Sequence, residues 1–525
     1  NKMRLILAFF LSLTLCAADY EWVFRNVRIV DGTGNPWYLG DVAVADGRIA
    51  AVGRKPDGYV THEIDATGKV LAPGFIDVHT HIEGTIRKVP LGDNFVFDGV
   101  TTVVTGNCGG SEIDLAKFFA ELEELGLGLN VASLVGHGSV RRAAMGSEDR
   151  APTADELVRM RELVETAMRD GAVGLSTGLI YAPGVYAKTD ELIALAKVAA
   201  QHRGVYATHL RDEGAGVFEA IEEAVRIGRE ADLPVQISHF KIDNKRLWGE
   251  SVRSIGLVEQ ARRDGVDVVV DQYPYDRSST GLTSLLPKWA LAGGGEKMKE
   301  RLKDAATQAR IAAEMEAELR NKGFEDYSFA MVADFQPGRS LEGQTISQIN
   351  LMRGREKTLA NEILTVMELI NQGRVQMIYH KMSEQDVEQI LRYPNAAVGS
   401  DGGTREFGVG KPHPRSYGTN ARVLARYVRE RGVLTLEDAI RRMTSLPART
   451  FGFTDRGLIR EGMAADWVLF DPGAVQDNAT FDDPHRFSDG FELVLVNGVA
   501  VVEDGKLTGR RPGRVLRHGS NDSAH

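Results

Sequence analysis

The sequence predicts an α/β fold: a (β/α)8 TIM-type barrel, a small β-sandwich domain built from both chain termini, and a helical insertion over the barrel mouth. Three observations lead to this prediction. Strand-like and helix-like segments alternate eight times through the middle of the chain, hairpin patterns occur at both ends, and polar side chains follow the strand-like runs. Such alternation favours a closed parallel barrel over a doubly wound sheet.

Composition and charge restrict the possible partners. The chain has 525 residues, of which 43% are hydrophobic and 26% charged, as in ordinary globular proteins. This length predicts one large domain with attachments, or two to three domains. The formal net charge of −10 argues against nucleic acid or an anionic membrane surface as the main partner.

The first 18 residues have the pattern of a secretory signal peptide. Lys2 and Arg4 precede LILAFFLSLTL, an apolar run of 11 residues, and small residues up to Ala18 follow. The run is too short to span a bilayer, and no later segment is long and apolar enough to do so. We therefore expect export to the periplasm or the exterior, with no stable membrane span after processing. A buried core helix, a membrane anchor and a lipid anchor at Cys16 are the alternatives.

Hairpin patterns mark the two ends of the chain. WVFRNVRIV and DVAVADGRIAAVG near the start, and DWVLFDPG and LVLVNGVAVVEDGKLTG near the end, alternate apolar residues with Asp-Gly and Asn-Gly turns. The two stretches can pair in space as one domain. The predicted order after the signal peptide is small β-domain (19–70), barrel (71–284), helical insertion (285–374), barrel (375–454) and small β-domain (455–525).

Eight strand-like runs supply the predicted barrel. A ninth run, VQMIYH at residues 375–380, exceeds the eight places, and we assign it to the end of the insertion. The insertion is rich in helix formers and too long for a simple loop. The eight runs are GFIDVHTH, VTTVVTGN, NVASLVGH, AVGLSTGL, GVYATH, PVQISH, VDVVVDQY and AAVGSD.

Metal-binding residue types collect at these strand ends, where barrels carry their functional groups. Imidazole, thiolate and carboxylate are the ligands that zinc prefers. Each residue alone has an ordinary explanation: Cys108, the only thiol left after signal cleavage, could be a core residue, and Asp401 a turn residue or helix cap. Their joint occurrence predicts a metal site formed by His79, His81, Cys108, His209, His239 and Asp401.

At this point the chain resembles the D-aminoacylases (N-acyl-D-amino-acid deacylases) of the amidohydrolase superfamily. The matching stretches include LAPGFIDVHTH, GVTTVVTGNCG, GVYATHLRDEG, PVQISHFK, VGSDGG and KPHPRSYGT, and they cover nearly the whole mature chain. Other branches of the superfamily place a carboxylated lysine on the fourth strand, where this chain reads AVGLSTG. Ile82 and Glu83 stand where the family often has an acidic pair.

The resemblance implies a metal-dependent hydrolase. It implies a tight zinc on Cys108, His209 and His239, and a second, weaker metal position near His79, His81, Cys108 and Asp401. It also implies that the α-carboxylate of the substrate is bound by Lys241, Tyr273, Ser279 and Arg415.

The implied reaction is hydrolysis of an N-acyl-D-amino acid to a carboxylate and a free D-amino acid. Zinc lowers the pKa of a bound water to about 7, and Asp401 can serve as general base and then general acid. Arg415 could instead pair with an acid such as Glu406, and Lys241 could simply be solvated. His137, also at a strand end, is read as a core or supporting residue rather than a substrate contact. The D preference rests on the resemblance alone.

Other functions stay open from the sequence. A different amidohydrolase of the same fold, either a dipeptidase for D-containing peptides or a cyclic-amide hydrolase, is the main alternative. An inactive binding relative should have lost ligands, and none of the six is missing. A serine hydrolase is disfavoured because no GxSxG lies on a strand-to-helix turn.

Overall fold

The computed structural model describes residues 20–53 and 56–519. The predicted signal peptide and the alternative lipid anchor at Cys16 lie outside these ranges. The described strands, in chain order, are β1 (Tyr20–Ile29), β2 (Tyr38–Ala45), β3 (Arg48–Val52), β4 (Val60–Asp65), β5 (Val70–Pro73), β6 (Phe75–Asp77), β7 (Val100–Thr105), β8 (Asn130–Ser133), β9 (Val135–Gly136), β10 (Gly174–Gly178), β11 (Val205–His209), β12 (Val235–Ile237), β13 (Val268–Gln272), β14 (Arg277–Gly281), β15 (Ala330–Asp334), β16 (Gln376–His380), β17 (Ala396–Val398), β18 (Trp467–Phe470), β19 (Phe491–Val496), β20 (Val499–Glu503) and β21 (Lys506–Leu507).

Helices alternate with the strands of the middle region. They are α1 (Asp93–Val96), α2 (Leu115–Leu125), α3 (His137–Met145), α4 (Ala154–Arg169), α5 (Thr189–Gln201), α6 (Val217–Ala231), α7 (Ser251–Arg263), α8 (Gly295–Lys303), α9 (Ala305–Asn321), α10 (Ile346–Met352), α11 (Leu359–Gln372), α12 (Glu384–Leu391), α13 (Arg415–Arg422), α14 (Leu436–Met443) and α15 (Ser445–Phe451). Short 3₁₀ helices and a π-helical stretch (Val423–Glu430) complete the set. Within the described ranges, none of the helices has both the length and the apolar content needed to cross a membrane.

Eight parallel strand positions, called staves below, form the predicted barrel. Their order is β6, β7, β8 with β9, β10, β11, β12, β13 and β17, and Leu134 interrupts the third stave between β8 and β9. Backbone hydrogen bonds close the ring: the Asp401 amide donates to the His79 carbonyl at 2.8 Å, and the His81 amide to the Gly402 carbonyl at 2.7 Å. The barrel prediction is confirmed, and the strand ends gather at one rim.

Burial explains why these segments are strands. All residues of β7 (VTTVVT) and of β11 (VYATH) are buried, as expected of parallel strands covered on both faces. The surrounding helices are amphipathic, and α6 turns an apolar side with Phe218 and Ile221 inward. A capping box between Thr153 and Glu156 fixes the start of α4.

Strands from both termini form one sheet of nine strands. Its order is β21, β20, β19, β18, β5, β1, β2 and β3, with β4 also pairing with β1. β18 pairs antiparallel with β5, which joins the C-terminal strands to the N-terminal ones. Phe24 and Trp467 meet edge to face with ring centroids 5.4 Å apart, inside a core drawn from both halves.

The insertion is larger than the sequence indicated and is not purely helical. β14, β16 and β15 form a three-stranded antiparallel sheet, so the insertion extends from Arg277 to His380. The assignment of residues 375–380 to the end of the insertion agrees with this sheet. The boundaries 285 and 374 were wrong because β14 finds its partner β16 about 100 residues later; no local pattern shows that pairing.

Asn94 and Asp98 lie between the first and second staves and bind segments that follow the last stave. The Asn94 side chain donates to the Gly403 carbonyl at 3.1 Å. The buried Asp98 carboxylate accepts from the amides of Asn420 and Ala421 at 2.7 and 3.0 Å, and from the Ser488 hydroxyl at 2.9 Å. Burial raises the pKa of Asp98 to about 7, although these donors act in the opposite direction.

Replacing Asp98 with Asn should destabilise the protein by about 2 kcal/mol, because an amide group would face hydrogen-bond donors. The thermal midpoint should fall by roughly 2–5 °C. Folding raises the pKa of this carboxyl, so the folded state binds its proton more tightly than the unfolded state does. The resulting stabilisation is lost as the pH rises through the pKa of the folded state. The difference from wild type should therefore be larger at pH 5 than at pH 8. Asp190→Asn, at an exposed ion pair with Arg226, is the control and should shift the midpoint little; equal shifts for both variants would contradict the account.

Candidate metal centre

Three imidazoles surround the sulfur of Cys108 at the barrel rim. His79 Nε2 lies 3.3 Å, His239 Nε2 3.5 Å and His209 Nδ1 3.7 Å from Cys108 Sγ. Each of these residues follows or ends a different stave. Strands that are distant in sequence therefore bring four donor atoms to one point, as the sequence predicted.

The spacing of these donor atoms fits a tetrahedral zinc site. Zinc–sulfur bonds of about 2.3 Å and zinc–nitrogen bonds of about 2.0–2.1 Å place sulfur and nitrogen about 3.5 Å apart around one ion. The observed separations of 3.3–3.7 Å bracket that value. The chemistry of the donors, one thiolate and several imidazoles, fits the same metal.

Asp401 and His81 complete the predicted set. Asp401 Oδ1 lies 3.1 Å from His81 Nε2 and 3.7 Å from His79 Nε2. Within the described residues, three overlapping groups have donor atoms within 4.8 Å of one another: His79, His81 and Cys108; Cys108, His209 and His239; and His79, His239 and Asp401. The overlap leaves room for two neighbouring metal positions.

The backbone is strained at three of these residues. Cys108, His239 and Asp401 have φ values of 53°, 35° and 51°, in the left-handed region that side chains other than glycine rarely adopt. Such conformations cost about 1–3 kcal/mol each and tend to occur at functional sites. At each position the sharp turn immediately after a stave directs a donor atom towards the common centre.

Glycines allow the Cys108 loop to lie directly on the neighbouring strand ends. A Cβ atom at Gly178 would come within 2.1 Å of the Cys108 carbonyl oxygen, and one at Gly136 within 2.5 Å of the Gly109 carbonyl. Both distances are far below van der Waals contact. The loop with Cys108 thus covers the end of β10, the fourth stave, where no lysine is present.

Glu83 holds the same loop from the other side. Its Oε1 accepts hydrogen bonds from the Thr105 hydroxyl at 2.6 Å and from the Gly106 amide at 2.5 Å. The sequence left the supporting contacts around His79 and His81 open, because Ile82 and Glu83 follow His81 in place of an acidic pair. A single acid here binds the strand that carries the cysteine.

Glu213 contacts the cluster and was not among the residues predicted from the sequence. Its Oε1 lies 2.9 Å from His239 Nδ1 and 2.6 Å from Lys241 Nζ, and its Oε2 lies 3.6 Å from His209 Nε2. Burial raises the pKa of this carboxyl, but Lys241 and the two imidazoles outweigh it and hold the pKa well below its usual range. Its position in THLRDEG, four residues after His209, was the available signal.

Asp271 supports the opposite side of the cluster. Its carboxylate lies 3.4 Å from His79 Nδ1 and accepts from the His239 amide at 2.8 Å and from the Gln236 side chain at 2.7 Å. A fully buried carboxylate in a barrel strand requires such partners. It orients the His79 ring, as carboxylates commonly do for metal-binding histidines.

The electrostatics favour the ionised forms of the thiol and the aspartate. Burial raises the pKa of Cys108, but the charge of His79 and hydrogen bonds from His209 and His239 hold it well below its usual range. Burial likewise raises the pKa of Asp401, and Arg415 and His79 more than offset this, so the pKa lies well below normal. A buried thiolate beside a buried carboxylate is an environment that favours a cation.

Arg415 is paired, but not with Glu406. It is buried, with Nη2 at 2.9 Å from Asp401 Oδ2 and 3.3 Å from the Ser279 carbonyl, whereas Glu406 pairs with Lys88. Its Nη1 is also buried and has no hydrogen-bond partner among the described residues. The guanidinium can therefore hold Asp401 and still offer a donor to a ligand.

The other predicted substrate-binding residues lie beside it. Arg415 stacks over the Tyr273 ring, 4.5 Å from the centroid. Lys241 is not solvated: it is buried, and its Nζ contacts Glu213 and His239 Nδ1, each at 2.6 Å. The Ser279 hydroxyl donates to the Met377 carbonyl at 2.7 Å.

His137 has no part in this cluster. Its ring is fully buried, and its Nε2 lies 2.9 Å from Glu191, which also binds Arg141. This is the core position that the sequence favoured.

One cavity joins the cluster to the insertion. It has a volume of about 550 Å³, within the range of small-molecule sites. Its barrel side is lined by His209, His239, Asp401, Tyr273 and Ser279, and its other side by residues of the insertion. The cluster therefore faces a space of the size a small substrate needs.

Comparison with known proteins agrees with this geometry. Residues 62–502 match the amidohydrolase family. The chain is 35% identical to a D-aminoacylase of Alcaligenes xylosoxydans xylosoxydans, covering 95% of this chain and 97% of the relative. It is 36% identical to an N-acyl-D-aspartate deacylase of the same organism, covering 96% of both chains.

A solved structure is similar over the same length. The N-acyl-D-glutamate deacylase of Bordetella bronchiseptica, in complex with zinc and a phosphonate inhibitor, superposes with a TM-score of 0.80 at 36% identity, covering 95% of this chain and all of that one. Family model and full-length relatives agree, and the predicted resemblance is confirmed. The chain belongs to the amidohydrolase family.

Proposed function

We propose that this protein hydrolyses the amide bond of N-acyl-D-amino acids, giving a carboxylate and a free D-amino acid. The observation that carries the proposal is the convergence of three imidazoles on the Cys108 sulfur at zinc-like spacing, beside the Asp401–Arg415 pair. The relatives named above act on acylated D-amino acids, and the D preference rests on them.

Zinc is the metal that the donor set fits. Cys108, His209 and His239 would hold the tight ion, and His79, His81, Cys108 and Asp401 a second, weaker one. When bound, zinc supplies a Lewis acid that lowers the pKa of a water ligand and polarises a carbonyl group. This assignment is consistent with the separations among the donor atoms.

Asp401 is the proposed general base and acid. Arg415 holds its Oδ2 at 2.9 Å, so Oδ1, near the imidazoles, is the atom that takes a proton from the attacking water. The same oxygen then delivers the proton to the leaving nitrogen as the carbon–nitrogen bond breaks. His81, whose side chain is 39% exposed, is the imidazole best placed to approach the substrate carbonyl.

The free carboxylate of the substrate is proposed to bind at Arg415. The unpaired, buried Nη1 can donate to it, and a guanidinium binds carboxylates in a fixed planar geometry. Tyr273, Ser279 and Lys241 line the cavity around this point. Lys241 contributes positive charge, although its ammonium group is already bound to Glu213.

Export from the cytoplasm is part of the proposal. It rests on the pattern of residues 1–18 alone. Amino-terminal sequencing of the protein recovered from the periplasm or the medium would test it, and recovery of the uncleaved chain from the cytoplasm would refute it.

A substrate panel tests the activity directly. Protein of measured zinc content should hydrolyse N-acetyl-D-amino acids. Its kcat/KM for the corresponding L forms and for hydantoins should be at least about 100-fold lower. Products of the D, L and cyclic substrates should be quantified by liquid chromatography with mass spectrometry, which detects all of them alike. A preference for D-containing dipeptides or for cyclic amides would replace the proposed function with that of another amidohydrolase.

Cys108→Ser should remove most of the zinc and most of the activity, because a hydroxyl is a much poorer ligand than a thiolate. Metal content measured by mass spectrometry should fall at least about tenfold. Ser111→Ala, three residues further along the same loop, is the matched control and should keep its zinc. Full zinc content in Cys108→Ser would remove the cysteine from the site.

Asp401→Asn should retain the tight zinc and lose about 10²–10⁴-fold in kcat, because the amide cannot accept the proton. Zinc content, kcat and KM should be measured together. Asp190→Asn again serves as the surface control. Near-normal turnover in Asp401→Asn would exclude the acid–base role.

A further inference from the structure

Glu213 faces both histidines of the proposed tight zinc site through the ring nitrogens that point away from Cys108. His239 directs Nε2 and His209 directs Nδ1 towards the cysteine sulfur. The other nitrogen of each ring faces the Glu213 carboxylate: His239 Nδ1 lies 2.9 Å from Oε1, and His209 Nε2 lies 3.6 Å from Oε2. One carboxylate is therefore placed to support both rings when their inner nitrogens hold a metal ion.

The same carboxylate also holds Lys241. Lys241 Nζ lies 2.6 Å from Glu213 Oε1, the oxygen that also faces His239 Nδ1. Among the described residues, no other carboxylate forms an ion pair with this lysine or with either histidine. An ammonium group and an imidazole thus compete for one oxygen atom.

Burial makes this competition strong. The side chains of Glu213, Lys241 and His239 are 10%, 5% and 2% exposed. The Glu213 carbonyl accepts from the Asp243 amide at 2.8 Å, which joins the loop after β11 to the loop after β12 and fixes the carboxylate between them. Because solvent screens buried charges little, a change at one of these groups alters the field at the others.

Lys241 lines the cavity, where it is proposed to contact the carboxylate of the substrate. An anion beside the ammonium group takes a share of its charge and of its hydrogen bonds away from Glu213. Glu213 then becomes a stronger acceptor for His239, and a histidine that donates to a carboxylate is a better metal ligand. A carboxylate at Lys241 should therefore strengthen zinc binding at His239, and by linkage zinc should strengthen binding of the carboxylate.

We propose that Glu213 is a positioning residue that couples the two sites, so that zinc and a ligand carboxylate each bind more tightly when the other is present. The inference rests on the proposed function, because that function assigns zinc to the histidines and the carboxylate to Lys241. It adds that the protein binds metal and ligand as a linked pair through one buried side chain.

Zinc affinity measured with and without a simple carboxylate tests the coupling. Apo-protein is titrated with zinc against a competing chelator at one fixed pH, in the presence of isocaproate or of its uncharged amide. Isocaproate should lower the zinc Kd of the wild-type protein about fivefold or more, and the amide should leave it unchanged. In Glu213→Gln, isocaproate should change the zinc Kd less than about twofold.

Substitutions at the two ends of the coupling should change zinc affinity in opposite directions. Without isocaproate, Glu213→Gln should weaken zinc binding about 10–100-fold, because His239 loses a charged acceptor. Lys241→Met should strengthen zinc binding about threefold or more, since no ammonium group then shares Glu213. A role confined to holding the loops together predicts weaker zinc binding in both variants.

Asp212→Asn is the matched control. Asp212 precedes Glu213 and lines the same cavity, and its carboxylate accepts from the Gly214 amide at 2.6 Å. The variant loses the same charge one residue away, and its zinc affinity and its response to isocaproate should both stay close to those of the wild type. Thermal melting shows whether each variant folds. If Glu213→Gln does not fold, Lys241→Met tests the coupling from the other end.

Three results would overturn the proposal: no effect of isocaproate on the wild type, an equal effect on wild type and folded Glu213→Gln, or weaker zinc binding in folded Lys241→Met. An equal effect would mean that the carboxylate acts on zinc without Glu213. These affinities do not depend on turnover. If the zinc-loaded protein hydrolyses no acylated D-amino acid, the proposed function fails, and the coupling is still decided by the affinities.

Discussion

The contact between the Cys108 sulfur and three imidazoles is the interaction on which the active end of the barrel depends. It brings together residues from the first, second, fifth and sixth staves. The neighbouring carboxylates contact these same residues. Glu213 holds His239, Asp271 orients His79, and Asp401 faces the same imidazoles. A thiolate and carboxylates this close together in a buried space are stable only with compensating positive charge, which protonated imidazoles or a metal ion can supply.

Interactions elsewhere in the fold offset the unfavourable free energy of this arrangement. Left-handed backbone at Cys108, His239 and Asp401 is unfavourable by about 1–3 kcal/mol per residue. The surrounding structure holds these residues in place: glycines at the adjacent strand ends leave room for the Cys108 loop, and the Asp98 carboxylate binds the segment after Arg415. The insertion then encloses the site without supplying a metal-binding residue of the predicted set. The predicted metal ligands therefore all come from the barrel.

Much of the site could be predicted from the sequence because parallel strands all end at one rim. Knowing that His79, Cys108, His209 and His239 follow strand-like runs was enough to expect them to meet. Partners across long separations could not be predicted: β14 pairs with β16 about 100 residues away, and the insertion boundaries were therefore misplaced. Glu213 and Asp271 were missed because a single acid in a loop or a buried strand does not indicate its partner. Arg415 was expected to bind a ligand. Its ion pair with Asp401 could not be predicted from the sequence and is seen only in the structure.

X-ray absorption at the zinc edge of the purified, active protein tests the central claim most directly. The account predicts one sulfur atom in the zinc coordination shell at about 2.3 Å, together with nitrogen or oxygen atoms at about 2.0–2.1 Å. A shell made only of nitrogen and oxygen in fully active, zinc-replete protein would contradict it, because the thiolate would then have no metal to hold.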